Sequence, residues 1–196
     1  MARAGLTTER VVEAAADLAD SVGFDQVTIS ALARGFGVRD ASLYSHVRNL
    51  LDLRTRVALL AAGEFIDRIN AAIAGRAGKD ALIAFAAAYR SFALERPGRY
   101  EATQMRIDPE IAVRSSAYLR TIETIGAMLR AYGLTEPDLT DAVRLLRSTL
   151  HGYCALEANG GFAASREVDA SWERAVDALH FLLEHWSSAV SEGEAR

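Results

Sequence analysis

A short run of polar side chains in the first quarter of the chain has the chemistry needed to read nucleic-acid bases. On one short helix they would form the outer face, which consists of Arg39, Asp40, Ser42, Ser45 and His46. Guanidinium, carboxylate, hydroxyl and imidazole groups supply the donors and acceptors that recognise base edges. A helix with this face can enter a major groove about 12 Å wide. The segment therefore indicates a DNA-reading helix.

The residues around this run predict a helix-turn-helix. Thr28 can cap a first short helix, and the turn Phe36-Gly37-Val38 separates it from a second helix over about Arg39 to His46. Gly37 can take the positive φ that a sharp turn between helices requires. Apolar residues at helical spacing would form the small core, namely Val11, Leu18, Phe24, Leu32, Leu43 and Val47.

Helical periodicity continues along the rest of the chain and predicts an all-α protein of about nine helices. Asn49 is expected to cap a long helix that breaks near Gly75. Pro97-Gly98 is expected to stop the next helix, and Pro109 to begin one long helix that ends at Gly133. No segment alternates with period two, so a β-sheet is not expected.

The stretch T-I-S-A-L-A-R-G-F-G-V-R-D-A-S-L-Y-S-H-V resembles the TetR family of one-component bacterial regulators. The preceding A-A-x-x-L-A-D-S-V-G-F-D-Q-V-T is similar to the first helix and loop of that family. The resemblance covers about residues 8–55 and fixes about a dozen positions at rigid spacing. It implies a dimeric, ligand-responsive DNA-binding regulator, more often a repressor than an activator.

The resemblance also implies a role for each polar residue of the head. Thr28 would bind phosphate at a helix N-terminus, and Arg39, Asp40 and Ser42 would face base edges. Tyr44 and His46 would hold phosphates and set the register on the duplex. One position departs from the family, because Leu50 stands where members often carry a lysine that approaches the DNA backbone. Arg48 is the nearest substitute for that contact.

Each of these roles has a simpler structural alternative. Asp40 can instead cap its helix or complement the helix dipole. Tyr44 can be a core residue with a solvated hydroxyl, and His46 an ordinary surface histidine. Arg39 and Arg48 can be solvated charges with no contact to DNA.

The larger C-terminal part carries apolar stripes with aromatic and methionine side chains, which are typical of a packed core and also of a ligand pocket. In the family this part encloses an effector pocket lined by the middle helices. The candidate lining residues for a small, largely apolar effector are Phe85, Tyr89, Gln104, Met105, Met128, Arg147 and His151. The sequence does not decide which of the polar side chains point inward.

The last two helices are expected to form the homodimer interface, as they do in the family. Residues 146–162 resemble a subgroup with a His-Gly pair in the penultimate helix, here His151-Gly152. A mid-helix glycine costs about 1 kcal/mol relative to alanine, so Gly152 suggests close approach of another helix, such as one of the partner subunit. The final helix offers a wide apolar stripe for a four-helix interface: Trp172, Val176, Leu179, Leu183 and Trp186.

Enzymatic, metal and cofactor chemistry are not indicated. His180 and His185 are five residues apart and do not share a helix face as an i, i+4 pair of metal ligands would. Cys154 follows His151 by three residues, but no third group orients the pair, so Cys154 is interpreted as a core residue. The chain is expected to bind no cofactor and not to be an enzyme.

Composition places the protein among globular, cytoplasmic ones. The N-terminus has no apolar signal segment, no run is long enough to span a membrane, and a single cysteine allows no internal disulfide. The net charge is −4, but residues 1–60 carry seven arginines and seven acidic residues. A neutral head leaves room for one basic face.

These observations predict two domains, a DNA-binding head over residues 1–48 and an effector-binding and dimerisation domain over residues 49–196. The expected partner is a partly palindromic double-stranded operator, which a small molecule would release. The alternative is a helical small-molecule binder or enzyme that retains a non-functional head, and Leu50 and the negative charge are its only support.

Overall fold

The computed structural model describes residues 5–186, which contain ten α-helices, one 3-10 turn over Phe24–Gln26 and no strand. The all-α prediction is confirmed. The helices, in chain order, are α1 Thr8–Val22, α2 Ile29–Phe36, α3 Asp40–Leu43, α4 Leu50–Ile73, α5 Gly78–Glu95, α6 Pro97–Thr103, α7 Pro109–Ala112, α8 Ser116–Arg130, α9 Asp138–Ala158 and α10 Val168–Glu184.

The chain forms two compact units whose boundary does not fall between residues 48 and 49. The first unit extends to Asp67 and also includes Glu95–Arg120, and the second comprises Arg68–Leu94 and the chain from Thr121 onward. The first half of α4 belongs with the head because Leu53 and Val57 are fully buried in its core. The functional division at residue 48 stays a prediction.

The core of the first unit is built from the apolar residues that sequence spacing selects. Val11, Leu32, Leu43 and Val47 are all buried in one cluster. Phe24 joins it from the 3-10 turn, whereas Leu18 lies only partly buried at its edge. Burial of these side chains supplies the main free energy that orients the short α2 and α3 helices, since helices of this length are unstable alone.

The helix ends follow the expected capping chemistry in the head. The Thr7 hydroxyl accepts a hydrogen bond from the Arg10 N–H at the start of α1. The Asn49 side chain accepts one from the Asp52 N–H at 2.8 Å, which caps α4. Gly37 lies in the left-handed region with φ of 66°, and the chain turns there into α3.

The structure corrects two predicted helix boundaries and adds a helix after Pro97. The second helix of the head is shorter than expected, since α3 ends at Leu43 and the chain continues as a turn. Pro97 ends α5 but also begins α6, where its missing N–H costs nothing in the first turn. The long helix predicted from Pro109 to Gly133 is two helices, α7 and α8, and the Ser115 hydroxyl at the break accepts a hydrogen bond from the Tyr118 N–H at 3.4 Å.

The second unit buries one apolar stripe from each of its long helices. On α5 the stripe contains Leu82, Phe85, Tyr89 and Phe92. On α9 and α10 it contains Leu146, Leu150, Cys154, Trp172, Val176, Leu179 and Leu183. Within the described part of the chain, no helix is long and apolar enough to cross a membrane.

Helices α1 and α6 of the first unit meet at backbone contact distance. A Cβ built on Gly98 would lie 2.0 Å from the Ala19 carbonyl carbon and 2.5 Å from the Asp20 nitrogen. These are backbone atoms, which cannot move aside as a flexible side chain can. Glycine is therefore required at position 98 for the close packing of α6 on α1.

We expect Gly98→Ala to destabilise the folded protein by about 1–3 kcal/mol, because the added methyl group overlaps the α1 backbone. Gly35→Ala is the matched control, since its Cβ would meet nothing within 4 Å and its helical site favours alanine. Urea unfolding followed by circular dichroism measures both variants. Equal stability of the two variants would contradict the close packing.

Candidate nucleic-acid interface and ligand-binding groove

The exposed N-terminus of α2 carries the first predicted phosphate contact. The Thr28 hydroxyl accepts a hydrogen bond from the Ala31 N–H at 3.1 Å, and the residue is exposed. This capping bond fixes the hydroxyl beside the first N–H groups of the helix. Those N–H groups and the helix dipole favour a bound phosphate, as the sequence predicted for Thr28.

Helix α3 presents the predicted base-reading residues to solvent. Arg39, Asp40 and Ser42 are exposed, while Leu43 beneath them is fully buried. The Ser30 hydroxyl donates a hydrogen bond to the Asp40 carboxylate. Asp40 therefore ties α3 to the start of α2, and no side-chain hydrogen bond caps α3, so this tie differs from the capping role considered for it from the sequence. Among the described residues, Arg39 forms no ion pair and its guanidinium faces solvent.

The turn after α3 carries the next two predicted contacts in different environments. The Tyr44 side chain is 54% exposed, so it is not a core residue in this chain. His46 is half-buried, and its carbonyl accepts a hydrogen bond from the Thr8 hydroxyl at 3.4 Å. The ring of Tyr44 is therefore accessible to a phosphate, whereas His46 is held partly against α1.

Arg48 is positioned by the first turn of α4. The Asp52 carboxylate accepts hydrogen bonds from the Arg48 backbone N–H at 2.9 Å and from its guanidinium at 3.2 Å. Arg56 pairs with the other side of the same carboxylate. Partial burial alone would raise the pKa of Asp52, but these hydrogen bonds outweigh it and lower that pKa. The Arg48 side chain stays 82% exposed even though its guanidinium is paired with Asp52.

Leu50 departs from the family pattern because it has a packing role. It is half-buried against the core of the first unit, at the first residue of α4. A lysine contact to DNA from this position is absent, and Arg48 lies two residues earlier on the exposed turn.

A buried arginine that sequence reasoning did not select connects α6 to the head. Only 3% of the Arg99 side chain is exposed, and it forms ion pairs with carboxylates on two helices. From α1 these are Glu13 at 3.0 Å, Asp17 at 3.0 Å and Asp20. From α4 the partner is Glu64, whose carboxylate lies 2.9 Å from the Arg99 Nε.

The carboxylates of the Arg99 cluster keep the Arg99 guanidinium in its charged form. Burial would lower the pKa of Arg99, but the hydrogen-bonded Asp20 and Asp17 more than reverse this and raise it. On α6 the Glu101 carboxylate also accepts the Phe24 N–H at 2.9 Å. The i, i+4 spacing of Glu13 and Asp17 was visible in the sequence, but nothing there paired it with an arginine 82 residues from Asp17.

The predicted effector-lining residues fall in both compact units. In the second unit Phe85, Tyr89 and Met128 are buried, and the Phe85 and Tyr89 rings lie 6.2 Å apart. His151 is half-buried and Arg147 is exposed.

The other two candidates belong to the first unit. Gln104 donates a hydrogen bond to the Thr103 hydroxyl at 2.8 Å, and Met105 packs against the head core. The role of all seven residues in binding an effector stays a prediction.

A groove of about 750 Å³ lies in the first unit, and none of the seven predicted residues lines it. Its walls are α4 on one side and the segment from α7 into α8 on the other. The apolar surface comes from Leu59, Leu60, Ile111 and Ala117. The charged surface comes from Glu64, Asp67, Glu110, Arg114 and Arg120. We call this cavity the α4/α8 groove. Its charged walls differ from the largely apolar pocket expected from the sequence.

The apolar stripe predicted to form the dimer interface lies mostly inside the chain's own core. Trp172 is 7% exposed, with the Tyr153 ring 5.0 Å away and the Arg90 guanidinium 5.3 Å from its centroid. Val176, Leu179 and Leu183 are also buried, and Trp186 is half-buried. The periodicity identified a buried face correctly, but a single sequence does not say which helix covers it. Large exposed apolar side chains on α9 and α10 are Leu156, Phe181 and Leu182.

Cys154 and the C-terminal histidines have structural surroundings. Burial raises the pKa of the Cys154 thiol to about 11, which keeps it protonated and unreactive near neutral pH. His180 hydrogen-bonds the Tyr132 hydroxyl at 3.1 Å and lies 3.4 Å from Glu184. Within residues 5–186 no three His, Cys, Asp or Glu side chains are arranged to hold a metal ion.

Comparison with known proteins decides the family. Residues 82–179 match the family described as tetracyclin repressor-like, C-terminal domain. The chain is 38% identical over 158 residues to an uncharacterized HTH-type transcriptional regulator of Mycobacterium tuberculosis, a match that covers 80% of this chain and 72% of that protein. The chain belongs to the TetR family of transcriptional regulators. The family predicted from the head motif is thus confirmed.

Further relatives agree with this assignment. An uncharacterized HTH-type transcriptional regulator of Bacillus subtilis is 32% identical over 166 residues, which are 85% of this chain and 86% of that protein. A TetR variant from Acinetobacter baumannii, solved in complex with minocycline, has a TM-score of 0.70 at 21% identity and covers 93% of this chain and 98% of its own. The relatives are transcriptional regulators, not enzymes, and the family binds DNA operators as dimers.

Arg39 and Arg48 of this TetR-family head should behave differently when truncated. Arg39→Ala should remove a base contact worth about 1–3 kcal/mol and relax the preference at one position of each half-site. Arg48→Ala should weaken all sequences about equally, because phosphates are the same in every sequence. A binding-site selection with both variants measures this, and an unchanged motif for Arg39→Ala would show that the assignment is wrong.

Proposed function

We propose that this TetR-family protein represses transcription by binding a partly palindromic operator as a homodimer and releases it when a small molecule binds. The observation that carries the proposal is the exposed face of α3. Arg39 and Ser42 lie there in solvent while Leu43 and the left-handed Gly37 fix the helix on its core. A reading helix needs this combination of a rigid base and an open polar face.

Phosphate contacts would surround that face. Thr28 would act at the N-terminus of α2, where the helix dipole favours a phosphate. The exposed Tyr44 supplies a hydroxyl, and Arg48 supplies a full positive charge. Arg48 would replace the lysine that Leu50 does not supply. In a dimer the two α3 helices would enter successive major grooves about 34–36 Å apart.

The homodimer is proposed to form through α9 and α10. Leu156 on α9 and Phe181 on α10 are 50% and 60% exposed, and they give both helices apolar surface for a partner to cover. Gly152 supports it too, since a Cβ at that mid-helix position would meet nothing within 4 Å in this chain. Residues 5–186 therefore leave this position open, and a helix of the partner subunit would supply the close approach that explains a costly glycine.

We expect Phe181→Asp to convert the dimer into a folded monomer, because a charge at the interface would be buried without a partner on association. Trp172→Asp should instead unfold the protein, since Trp172 is buried within its own subunit. Sedimentation equilibrium and circular dichroism separate the two outcomes. A Phe181→Asp variant that stays dimeric would move the interface elsewhere.

The DNA-binding function is tested by the salt dependence of binding to DNA flanking the protein's own gene. If Arg48 of both subunits neutralises a phosphate while Arg39 faces a base edge, two phosphate contacts give a slope of log affinity against log salt of roughly −2. Thr28 and Tyr44 are neutral and add little to that slope. Fluorescence anisotropy at several salt concentrations measures it, and a slope near zero would contradict operator binding.

A further inference from the structure

The α4/α8 groove has the shape and chemistry of a site for an amphiphilic molecule. Leu59, Leu60, Ile111 and Ala117 would contact an apolar body, while the charged side chains of the walls would contact a polar head. Its volume of about 750 Å³ is within the range of small-molecule sites. The charges on the groove walls determine which charge of the head group the site favours.

The α4 wall of the groove lacks positive charge. Asp67 forms an ion pair with Arg120, so this carboxylate is already neutralised. No arginine pairs with Glu64 alone, because the neighbouring Arg99 guanidinium also forms ion pairs with Glu13, Asp17 and Asp20.

The other charged groups around the groove change the negative charge near Glu64 only a little. Arg96 is the second cation of the cluster, 3.8 Å from Asp20, so four carboxylates face two guanidinium groups. Burial raises the pKa of Glu64, Arg99 opposes the rise, and Glu13 adds to it. Glu110 and Arg114 carry opposite charges on the other wall and leave the balance unchanged.

Glu64 also joins the groove to the DNA-binding head. It lies in the groove wall and 2.9 Å from the Arg99 Nε, and the same guanidinium binds three carboxylates on α1. A cation in the groove would compete with Arg99 for the Glu64 carboxylate. The head core also contains Leu53 and Val57 of α4, so loss of the Glu64 contact would not separate α1 from α4. It would instead change how the Arg99 cluster holds α1 and α6 beside the groove.

We propose that the α4/α8 groove binds an organic cation with an apolar body, and that the contact from Glu64 to Arg99 transmits its binding to the head. This rests on the proposed release of the operator by a small molecule. Binding of the cation then lowers the affinity for the operator, and binding of the operator lowers the affinity for the cation by the same factor, as linkage between two sites requires.

The ligand class is tested on the wild-type dimer with three probes that share one tail and differ in charge: octylammonium, octanol and octanoate. Isothermal titration calorimetry at neutral pH gives their dissociation constants. We expect octylammonium to bind at least fivefold more tightly than either of the other two. A smaller preference, or a preference for octanoate, would overturn the proposal.

The site is tested with Glu64→Gln and its matched control Glu110→Gln. Both variants remove one carboxylate of the groove and change the net charge equally, but only Glu64 contacts Arg99. Glu64→Gln should weaken octylammonium binding at least fivefold, and Glu110→Gln less than twofold. Equal losses would mean that general charge, not this contact, selects the cation.

The coupling is read from DNA affinity at saturating octylammonium. Octylammonium should weaken operator binding by wild type and Glu110→Gln, but not by Glu64→Gln, when each protein is compared with its own operator affinity without the probe. Because Glu64→Gln already lacks the ion pair with Arg99, its operator affinity without the probe should be lower than that of wild type. Operator release that persists in Glu64→Gln would overturn the coupling. If the wild type binds no DNA at all, the proposed function fails, while the probe series still decides the ligand class. The probe series also needs no variant to fold.

Discussion

The ion-pair cluster at Arg99 is the constraint on which the first unit depends. A guanidinium that is 3% exposed is stable only if its charge is matched, and here Asp20, Glu64 and two further carboxylates match it. Removal of one partner from a buried pair typically costs about 3–5 kcal/mol. The close contact of Gly98 with α1 places Arg99 at the required depth. The close packing at Gly98 and the ion pairs of Arg99 therefore both hold α6 against the head.

This arrangement is the physical basis of the proposed coupling between the α4/α8 groove and the core of the head. Packed cores have few intermediate arrangements, so a change at one wall is passed on as a shift of whole helices. Glu64 belongs to both the groove wall and the Arg99 cluster, and α1 belongs to both the cluster and the head core. The reading face itself is simple by comparison, with exposed polar groups on a short helix fixed by Leu43 beneath it.

Sequence reasoning identified the head because its signals are local. A capping Thr28, a left-handed Gly37 and apolar residues at helical spacing each depend on neighbours within a few positions. The same reasoning missed α6, because proline was read only as a helix stop although it is also favoured in a first turn. It also assigned Trp172 to a partner subunit, since periodicity shows that a face is buried and not what covers it.

The sequence by itself therefore determined the all-α fold, the family and the helix-turn-helix of the head, because helix propensity, capping and turn geometry act over short distances. Only the tertiary structure brought Arg99 to Glu13, 86 positions earlier, and placed Glu64 at the groove. In the tertiary structure Asp40 also accepts a hydrogen bond from Ser30, and Leu50 packs against the core of the head. Ion pairs and cavities arise from contacts between distant segments, and no periodicity in one chain encodes which carboxylate will meet which guanidinium.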